Sequence, residues 1–166
     1  MRAAIRLLLP FALLAQPALA AGSDVQSDSS ELNACVADQK NDPNSCIETV
    51  ATSCIDQLSS ETDEGVNGCY DREAEAWDAI LNENYKAARV DAEDYDTDSK
   101  SNGGDPEAAA SLKTAQKAWI AFRDAECNRL YNRYIDGTIR ITIFSACQNR
   151  LTAERAIELG RPNEPN

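Results

Sequence analysis

Apolar residues recur along the chain every three or four positions, the spacing of one face of an α-helix. A first helix is predicted from a cap at Ser29 or Ser30 to about Lys40, after a polar and loose segment at 21–30. Asp42-Pro43 interrupts it, and a second helix is predicted over Ser45–Leu58. The apolar face of that second helix consists of Cys46, Val50, Cys54 and Leu58.

After a turn-rich link at Ser59–Asn67, a long amphipathic helix is predicted from about Val66 to Asp91. Its apolar stripe comprises Tyr70, Ala74, Trp77, Leu81 and Ala88. Its charged side comprises Asp71, Glu73, Glu75, Glu83, Lys86 and Arg89. The polar segment 94–106, which contains Gly103-Gly104, is predicted to be a loop.

A fourth helix is predicted to begin with Asp105 as cap and Pro106 at its first position, and to end near Tyr134. Its stripe comprises Leu112, Ala115, Trp119, Phe122 and Glu126. Asp136-Gly137-Thr138 predicts a stop and a new cap. The fifth helix carries Ile143, Phe144, Cys147, Leu151, Arg155 and Leu159, and ends at Gly160 and Pro162. The alternating segment 139–144 leaves a strand open as an alternative.

The pattern predicts an all-α fold, a small antiparallel helical bundle. The N-terminal segment does not follow this helical pattern. Arg2 and Arg6 precede a short apolar run, and Ala18-Leu19-Ala20 matches an A-x-A cleavage signal. We therefore expect a signal peptide over 1–20, a mature chain of about 146 residues and a periplasmic or secreted location. A retained anchor helix is the alternative, although the run is short for a membrane span.

All six cysteines follow this segment, and an even number in an exported chain predicts three disulfides, with free buried thiols as the alternative. Six cysteines permit fifteen pairings, and the spacing leaves them open. A bridge between Cys127 and Cys147, which flank the Asp136–Thr138 turn, would hold two antiparallel helices together. The chain has no His and no C-x-x-C pair, so a zinc site is not indicated.

Charge is distributed unevenly. Residues 21–110 hold 22 acidic and 5 basic side chains, whereas residues 111–166 hold 6 acidic and 9 basic ones. The acidic part disfavours nucleic acid and anionic lipid and favours basic partners or simple solubility. Without His, a phosphate-binding loop or a nucleophile motif, we expect no catalytic residues, no cofactor and no enzyme activity.

Asp94, Asp96, Asp98 and Asp105 stand at positions 1, 3, 5 and 12 of a possible calcium loop. Position 6 is Ser99 where glycine is required, and position 12 lacks the usual Glu, so a solvated acidic loop is favoured and no metal ligand is assigned.

Two tryptophans and one arginine are the remaining candidate functional residues. Trp77 and Trp119 lie on predicted core stripes, where packing is favoured over ligand stacking. Arg123 is expected to form a structural ion pair, with Asp78 as partner, in preference to a binding role.

Four segments resemble a known family. They are Leu112–Cys127, Asp136-Gly137-Thr138, Cys147–Arg155 with Leu159, and Cys69-x₃-Glu73-x₃-Trp77-Asp78-x₂-Leu81-Asn82-x₂-Tyr85. Together they resemble the lysozyme inhibitor LprI-like N-terminal domain family over about 69–159. The residues carrying the resemblance are Trp77, Asp78, Leu81, Asn82, Tyr85, Trp119, Arg123, Asp124, Gly137, Thr138, Thr152 and Arg155.

The resemblance implies a helical fold, a Cys127–Cys147 bridge, an envelope location and lysozyme inhibition. Asp136 stands where the family commonly has glycine, and residues 21–68 fall outside the resemblance. For that segment, a disulfide-linked helical extension, we expect the local pairs Cys35–Cys46 and Cys54–Cys69, and residues 160–166 are expected to be a flexible tail.

Three functions follow as hypotheses. The first is a non-enzymatic inhibitor that binds a basic lysozyme and presents a rigid protrusion. The second is a structural or accessory envelope protein that binds another protein or a peptidoglycan fragment and presents an apolar patch. The third is calcium binding at the acidic loop.

Overall fold

The computed structural model describes residues 20–39 and 42–161, and the fold of these residues is helical without a strand. The segment 1–19, which holds most of the expected signal peptide, and residues 162–166 of the expected tail lie outside the described residues. The elements are α1 (Ala20–Asp38), a 3₁₀ turn (Pro43–Cys46), α2 (Thr49–Asp56), α3 (Asp63–Ser101), α4 (Ala108–Arg133) and α5 (Arg140–Leu159). The prediction of an all-α fold is confirmed.

The longest helix, α3, forms the axis of the fold, and α5 lies along it in the same direction. Near the middle of α5, Asn149 donates a hydrogen bond to Glu73 of α3 at 3.0 Å. Further along both helices, Asn84 of α3 donates to the carbonyl of Ala156 at 2.9 Å. The close approach of Asn84 also explains Gly160 after α5, because a Cβ there would lie 2.7 Å from the Asn84 amide nitrogen.

Helix α4 runs antiparallel to both, so the last three helices form two consecutive hairpins. Near the end of α4, the Cys127–Cys147 disulfide joins it to the first half of α5. Near its start, Gln116 accepts a hydrogen bond from Arg155 in the second half of α5 at 3.1 Å. The antiparallel arrangement predicted for the bundle is therefore present in these two hairpins.

The main core surrounds Trp77, whose side chain is fully buried at the crossing of α1, α3 and α5. Buried around it are Leu32, Cys46, Val50, Ala76, Ile80, Leu81, Ala153, Ala156 and Ile157. Trp119 of α4 is half-buried and packs against this cluster. Both tryptophans therefore have the packing role expected for them.

The expectation of a loose segment at 21–30 is wrong, because α1 begins at Ala20. Tertiary contacts explain the difference. Asp28 is almost fully buried and accepts hydrogen bonds from Nε and Nη2 of Arg72 at 2.6 and 2.7 Å. The hydroxyl of Ser29 donates to the Ala76 carbonyl at 3.2 Å. A polar segment becomes ordered here because α3 supplies partners for its polar groups.

The second predicted helix is divided in two. The chain forms a 3₁₀ turn at Pro43–Cys46 and restarts as α2 at Thr49. Between them, Glu48 adopts φ 73°, the left-handed conformation that few residues other than glycine accept. Its backbone N–H donates to buried Glu73 at 2.7 Å, so a long-range hydrogen bond accompanies the break.

Helix α3 is longer than predicted at both ends. It begins at Asp63, where the Thr62 hydroxyl caps it by accepting from the Gly65 amide at 3.2 Å. It continues to Ser101, through most of the segment expected to be a loop. Only residues 102–107 connect it to α4, and Gly103 supplies the positive φ of 86° that this turn requires.

The cap of α4 comes from α3 and not from Asp105. The Asp96 carboxylate accepts hydrogen bonds from the amides of Ala108 and Ala109 at 2.9 and 3.1 Å. Because Asp94, Asp96 and Asp98 lie on a helix, they do not form the calcium loop considered from the sequence. No group of three or more potential metal ligands occurs in the part of the chain that the structure describes.

The strand alternative for 139–144 is wrong, because α5 begins at Arg140. Thr138 precedes this start and makes no side-chain cap.

Three disulfides cross-link the fold, and they join the pairs expected: Cys35–Cys46, Cys54–Cys69 and Cys127–Cys147. The first two hold α1, the 3₁₀ turn, α2 and the start of α3 together. The third holds α4 to α5.

Candidate functional site

Three of the residues singled out in the sequence, Asp78, Arg123 and Thr152, line one groove between α3, α4 and α5. Trp119 and Asp124 contact Arg123 there. We call it the motif groove and define it by these five residues. Trp77, Leu81 and Arg155 are buried beside it, whereas Asn82 is exposed and Tyr85 is half-buried. Gly137 and Thr138 lie elsewhere, at the turn between α4 and α5.

Arg123 occupies the centre of the motif groove. Its guanidinium carbon lies 5.2 Å from the centre of the Trp119 ring, within the range of a cation–π interaction. Its Nε and Nη2 both donate to one oxygen of Asp124 at 3.0 Å, and Nη1 reaches the Thr152 hydroxyl at 3.4 Å. The predicted ion pair between Arg123 and Asp78 is wrong, because the Asp78 carboxylate instead accepts a hydrogen bond from the Asn82 side chain at 2.8 Å.

The α3 wall of the motif groove carries three exposed carboxylates, Asp71, Glu75 and Asp78. Spacings of four and three residues place them on one face of the helix. A row of exposed carboxylates attracts basic side chains of a partner.

Beneath the motif groove, Glu73 is fully buried, although the sequence pattern placed it on the charged side of α3. Its carboxylate accepts four hydrogen bonds, from the amides of Glu48 and Ala51, the Trp77 indole and the Asn149 amide, at 2.7 to 3.0 Å. The spacing Cys69-x₃-Glu73-x₃-Trp77 could have predicted that Glu73 is buried, because it puts Glu73 on the same helical face as two buried residues.

Glu73 and its neighbour Glu48 also affect a tyrosine. Burial, together with the negative charges of Glu48 and Glu73, raises the pKa of Tyr70 above its usual 10.0. The phenol therefore stays neutral over a wider pH range in the folded protein than in the unfolded chain.

A second surface lies where α4 turns into α5. We call residues 134–141 the α4–α5 tip. Four large apolar side chains there, Tyr134, Ile135, Ile139 and Ile141, are between 45 % and 54 % exposed. Sequence reasoning placed a turn here but did not identify an exposed apolar surface.

The α4–α5 tip is held by Arg140, another residue that the sequence analysis missed. Its Nη1 donates to the carbonyls of Ile135 and Gly137 at 3.3 and 2.9 Å, and its Nε donates to the Tyr131 hydroxyl at 3.1 Å. Its guanidinium carbon also lies 5.8 Å from the centre of the Tyr131 ring. One side chain thus fixes the turn to the last full turn of α4.

A small second core supports the α4–α5 tip from below. Cys127, Cys147 and Leu151 are buried together, and Leu130 and Phe144 pack against them. The rings of Tyr131 and Phe144 meet edge to face, with centroids 6.3 Å apart. Disulfide, core and arginine together make the tip a rigid element.

Phe122 departs from its predicted core stripe and is 55 % exposed. Helix α4 contacts the bundle through Trp119, Arg123 and Cys127, which recur every four residues. Phe122 is one position away, about 100° around the helix, and therefore faces solvent.

The fold and these two surfaces define a class: a small all-α domain with three disulfides, whose last three helices form the motif groove and the α4–α5 tip. A family model described as lysozyme inhibitor LprI matches residues 54–159, and the chain belongs to this family. The family consists of inhibitors and not of enzymes. Membership in it therefore implies a protein partner.

An uncharacterized protein of Rhizobium meliloti (strain 1021) is 34 % identical over 101 residues, which cover 57 % of this chain and 68 % of that protein. No solved structure matches the chain. Among the described residues, no helix has the length and hydropathy of a membrane span. Family membership and the disulfides indicate an extracellular or periplasmic protein.

Proposed function

We propose that this protein binds a lysozyme and inhibits it without catalytic chemistry of its own. The observation that carries the proposal is the family match, which includes α3, α4 and α5 and therefore both surfaces described above. An inhibitor requires a stable binding face and no reactive group. The motif groove and the α4–α5 tip meet that requirement.

Charge supports the same partner. The chain carries 28 acidic and 16 basic residues, a net charge of −12. Lysozymes of animal hosts are commonly basic, so long-range attraction would raise the rate of encounter. Attraction of this kind weakens as salt is added, whereas packed contacts persist.

We further propose that the chain is exported with a signal peptide over 1–20. Residues 21–68 then form the disulfide-linked extension, residues 69–159 form the LprI-like domain, and residues 160–166 form the tail. The Cys35–Cys46 bridge supports the extension because it lies within it. The Cys54–Cys69 bridge and α3 cross the boundary, and the family match begins at residue 54, so the extension is continuous with the domain.

The test uses the oxidised chain from Ala21 in a cell-wall lysis assay with an animal lysozyme at two salt concentrations. An acidic protein of matched charge serves as control. We expect saturable inhibition that persists at moderate salt and is absent for the control. Inhibition that salt abolishes equally for both proteins would reduce the effect to nonspecific charge attraction and contradict the proposal.

A second candidate is an accessory envelope protein that binds another protein. The exposed apolar side chains of the α4–α5 tip favour it, because such residues are typical of protein contact surfaces. It predicts that crosslinking in the cell envelope captures one recurrent partner through the tip and that lysozyme is unaffected.

A further inference from the structure

The α4–α5 tip is distinct from the rest of the described surface. Other large exposed apolar residues, such as Val90 and Tyr95 on α3, are separated in direction. Five residues correspond to about 140° around a helix, so these two face different sides. At the tip, by contrast, four such side chains lie within eight consecutive residues.

The tip is also independent of the rest of the bundle. The backbone hydrogen bonds of its turn are internal to the hairpin, such as Gly137 N–H to the Tyr134 carbonyl at 2.9 Å. The bonds of Arg140 likewise stay within residues 131–140. An element whose shape needs no other helix can enter a partner without deforming, and this lowers the entropy cost of binding.

Charge at the base of the tip indicates the chemistry of its partner. Arg133 is exposed and forms no ion pair with any residue that the structure describes. Arg129, one turn before it, is neutralised by Glu126, whose pKa its hydrogen bond lowers. Within the tip itself, the charges of exposed Asp136 and of Arg140 cancel, so Arg133 leaves one net positive charge at the base. A net positive charge beside apolar side chains complements a cleft that has apolar walls and buried or half-buried carboxylates.

Glycoside hydrolases have such a cleft. They place two carboxyl groups on either side of the scissile bond, and apolar surfaces commonly line their substrate sites. We propose that the α4–α5 tip occupies the substrate cleft of the inhibited lysozyme, with Ile135 and Ile139 against its walls and Arg133 facing its carboxylates. This inference rests on the proposed function and names the inhibitory element.

The experiment compares the oxidised wild-type chain with an Ile135→Ser/Ile139→Ser variant. A Val90→Ser/Tyr95→Ser variant is the matched control, since it removes the same number of exposed apolar side chains. The inhibition constant against an animal lysozyme should rise at least tenfold for the tip variant and less than twofold for the control. Arg133→Ala should raise it several-fold, with Lys113→Ala as its control.

A second measurement tests the location. A chitooligosaccharide that fills the cleft should compete with the wild-type protein and raise its apparent inhibition constant in inverse proportion to the fraction of lysozyme left unoccupied. Circular dichroism and the mass of the oxidised protein verify that each variant is folded with three disulfides.

Four results would overturn the inference and can be told apart. If the folded tip variant inhibits like wild type, the tip is not the inhibitory element. If the oligosaccharide does not compete, the cleft is not the site, although inhibition itself stands. If the wild-type chain never inhibits, the proposed function fails as well. Tip-dependent sedimentation with anionic phospholipid vesicles, with inhibition unchanged, would assign the tip to a membrane surface instead.

Discussion

A buried carboxylate links the N-terminal helices of the molecule to its last helix, α5. Glu73 accepts hydrogen bonds from α2, from the segment before it, from α5 and from its own helix, and so four separate donors converge on one side chain. Burying a carboxylate is costly unless its oxygens are satisfied, and here both oxygens are used. The residue therefore determines how α2 and α5 sit against α3.

Replacing Glu73 with Ala should lower the free energy of unfolding by on the order of 3 kcal/mol or more, because three buried donors and the partly buried amide of Glu48 lose their acceptor. Urea denaturation measures the change. Glu75→Ala, two positions along the same helix and exposed, is the matched control and should have little effect. Equal stabilities of the two variants would show that the network contributes nothing.

The raised pKa of Tyr70 predicts a pH dependence with a definite sign. The folded state favours the neutral phenol, so the unfolded chain ionises first as the pH rises through the usual value of 10.0. Stability from this residue is thus complete below that pH and is lost progressively above it. Tyr70→Phe should flatten the decline in melting temperature between about pH 9 and 11. An unchanged slope would contradict this explanation.

At the scale of elements, the ends of helices are determined by residues distant in sequence. Helix α4 lacks a cap of its own at Glu107, and the Asp96 carboxylate from α3 takes that role. The two helices of this hairpin are therefore tied where no disulfide lies. The negative charge also complements the positive end of the α4 dipole.

Asp96→Ala should cost about 1 kcal/mol of stability, the typical effect of removing an N-cap side chain. Amide exchange at Ala108 and Ala109 should accelerate, since both amides lose their acceptor. Asp98→Ala is the control, because it makes the same change of helix propensity on the same helix without removing a cap. Comparable exchange rates in both variants would rule out the capping role.

At the scale of the whole molecule, covalent cross-links are placed at both ends of the described chain. Two short loops, closed over 11 and 15 residues, order the first helices. A third bridge, over 20 residues, closes the α4–α5 hairpin. Each restricts the unfolded chain, and a loop of this length typically contributes about 3 kcal/mol.

Cys127→Ala/Cys147→Ala should therefore reduce the free energy of unfolding by about 3 kcal/mol in urea denaturation. Cys54→Ala/Cys69→Ala should cost a similar amount. Only the first variant should accelerate amide exchange within the α4–α5 tip, because only that bridge supports it. Slow exchange at the tip in both variants would mean that Arg140 and the small core hold the turn without the disulfide.

Much of this architecture was predictable from the sequence. Helical spacing predicted the all-α fold and the core role of Trp77, since apolar periodicity reports which face of a helix is buried. Short separations favoured the two local disulfides, and the ordered motifs indicated the family, which implied the Cys127–Cys147 bridge. Each of these predictions depends on residues that are close together in the chain or on the order of the motifs along it.

Tertiary structure alone decided the rest. The burial of Glu73, the ordering of α1 around Asp28, and the capping of α4 by Asp96 each depend on a partner 12 or more residues away. From the sequence alone, a polar side chain is predicted to face solvent. Only the packed structure shows that other elements supply its hydrogen-bond donors or acceptors. At the α4–α5 tip, tertiary structure has the opposite effect: its apolar residues face solvent because no other helix among the described residues extends over that turn.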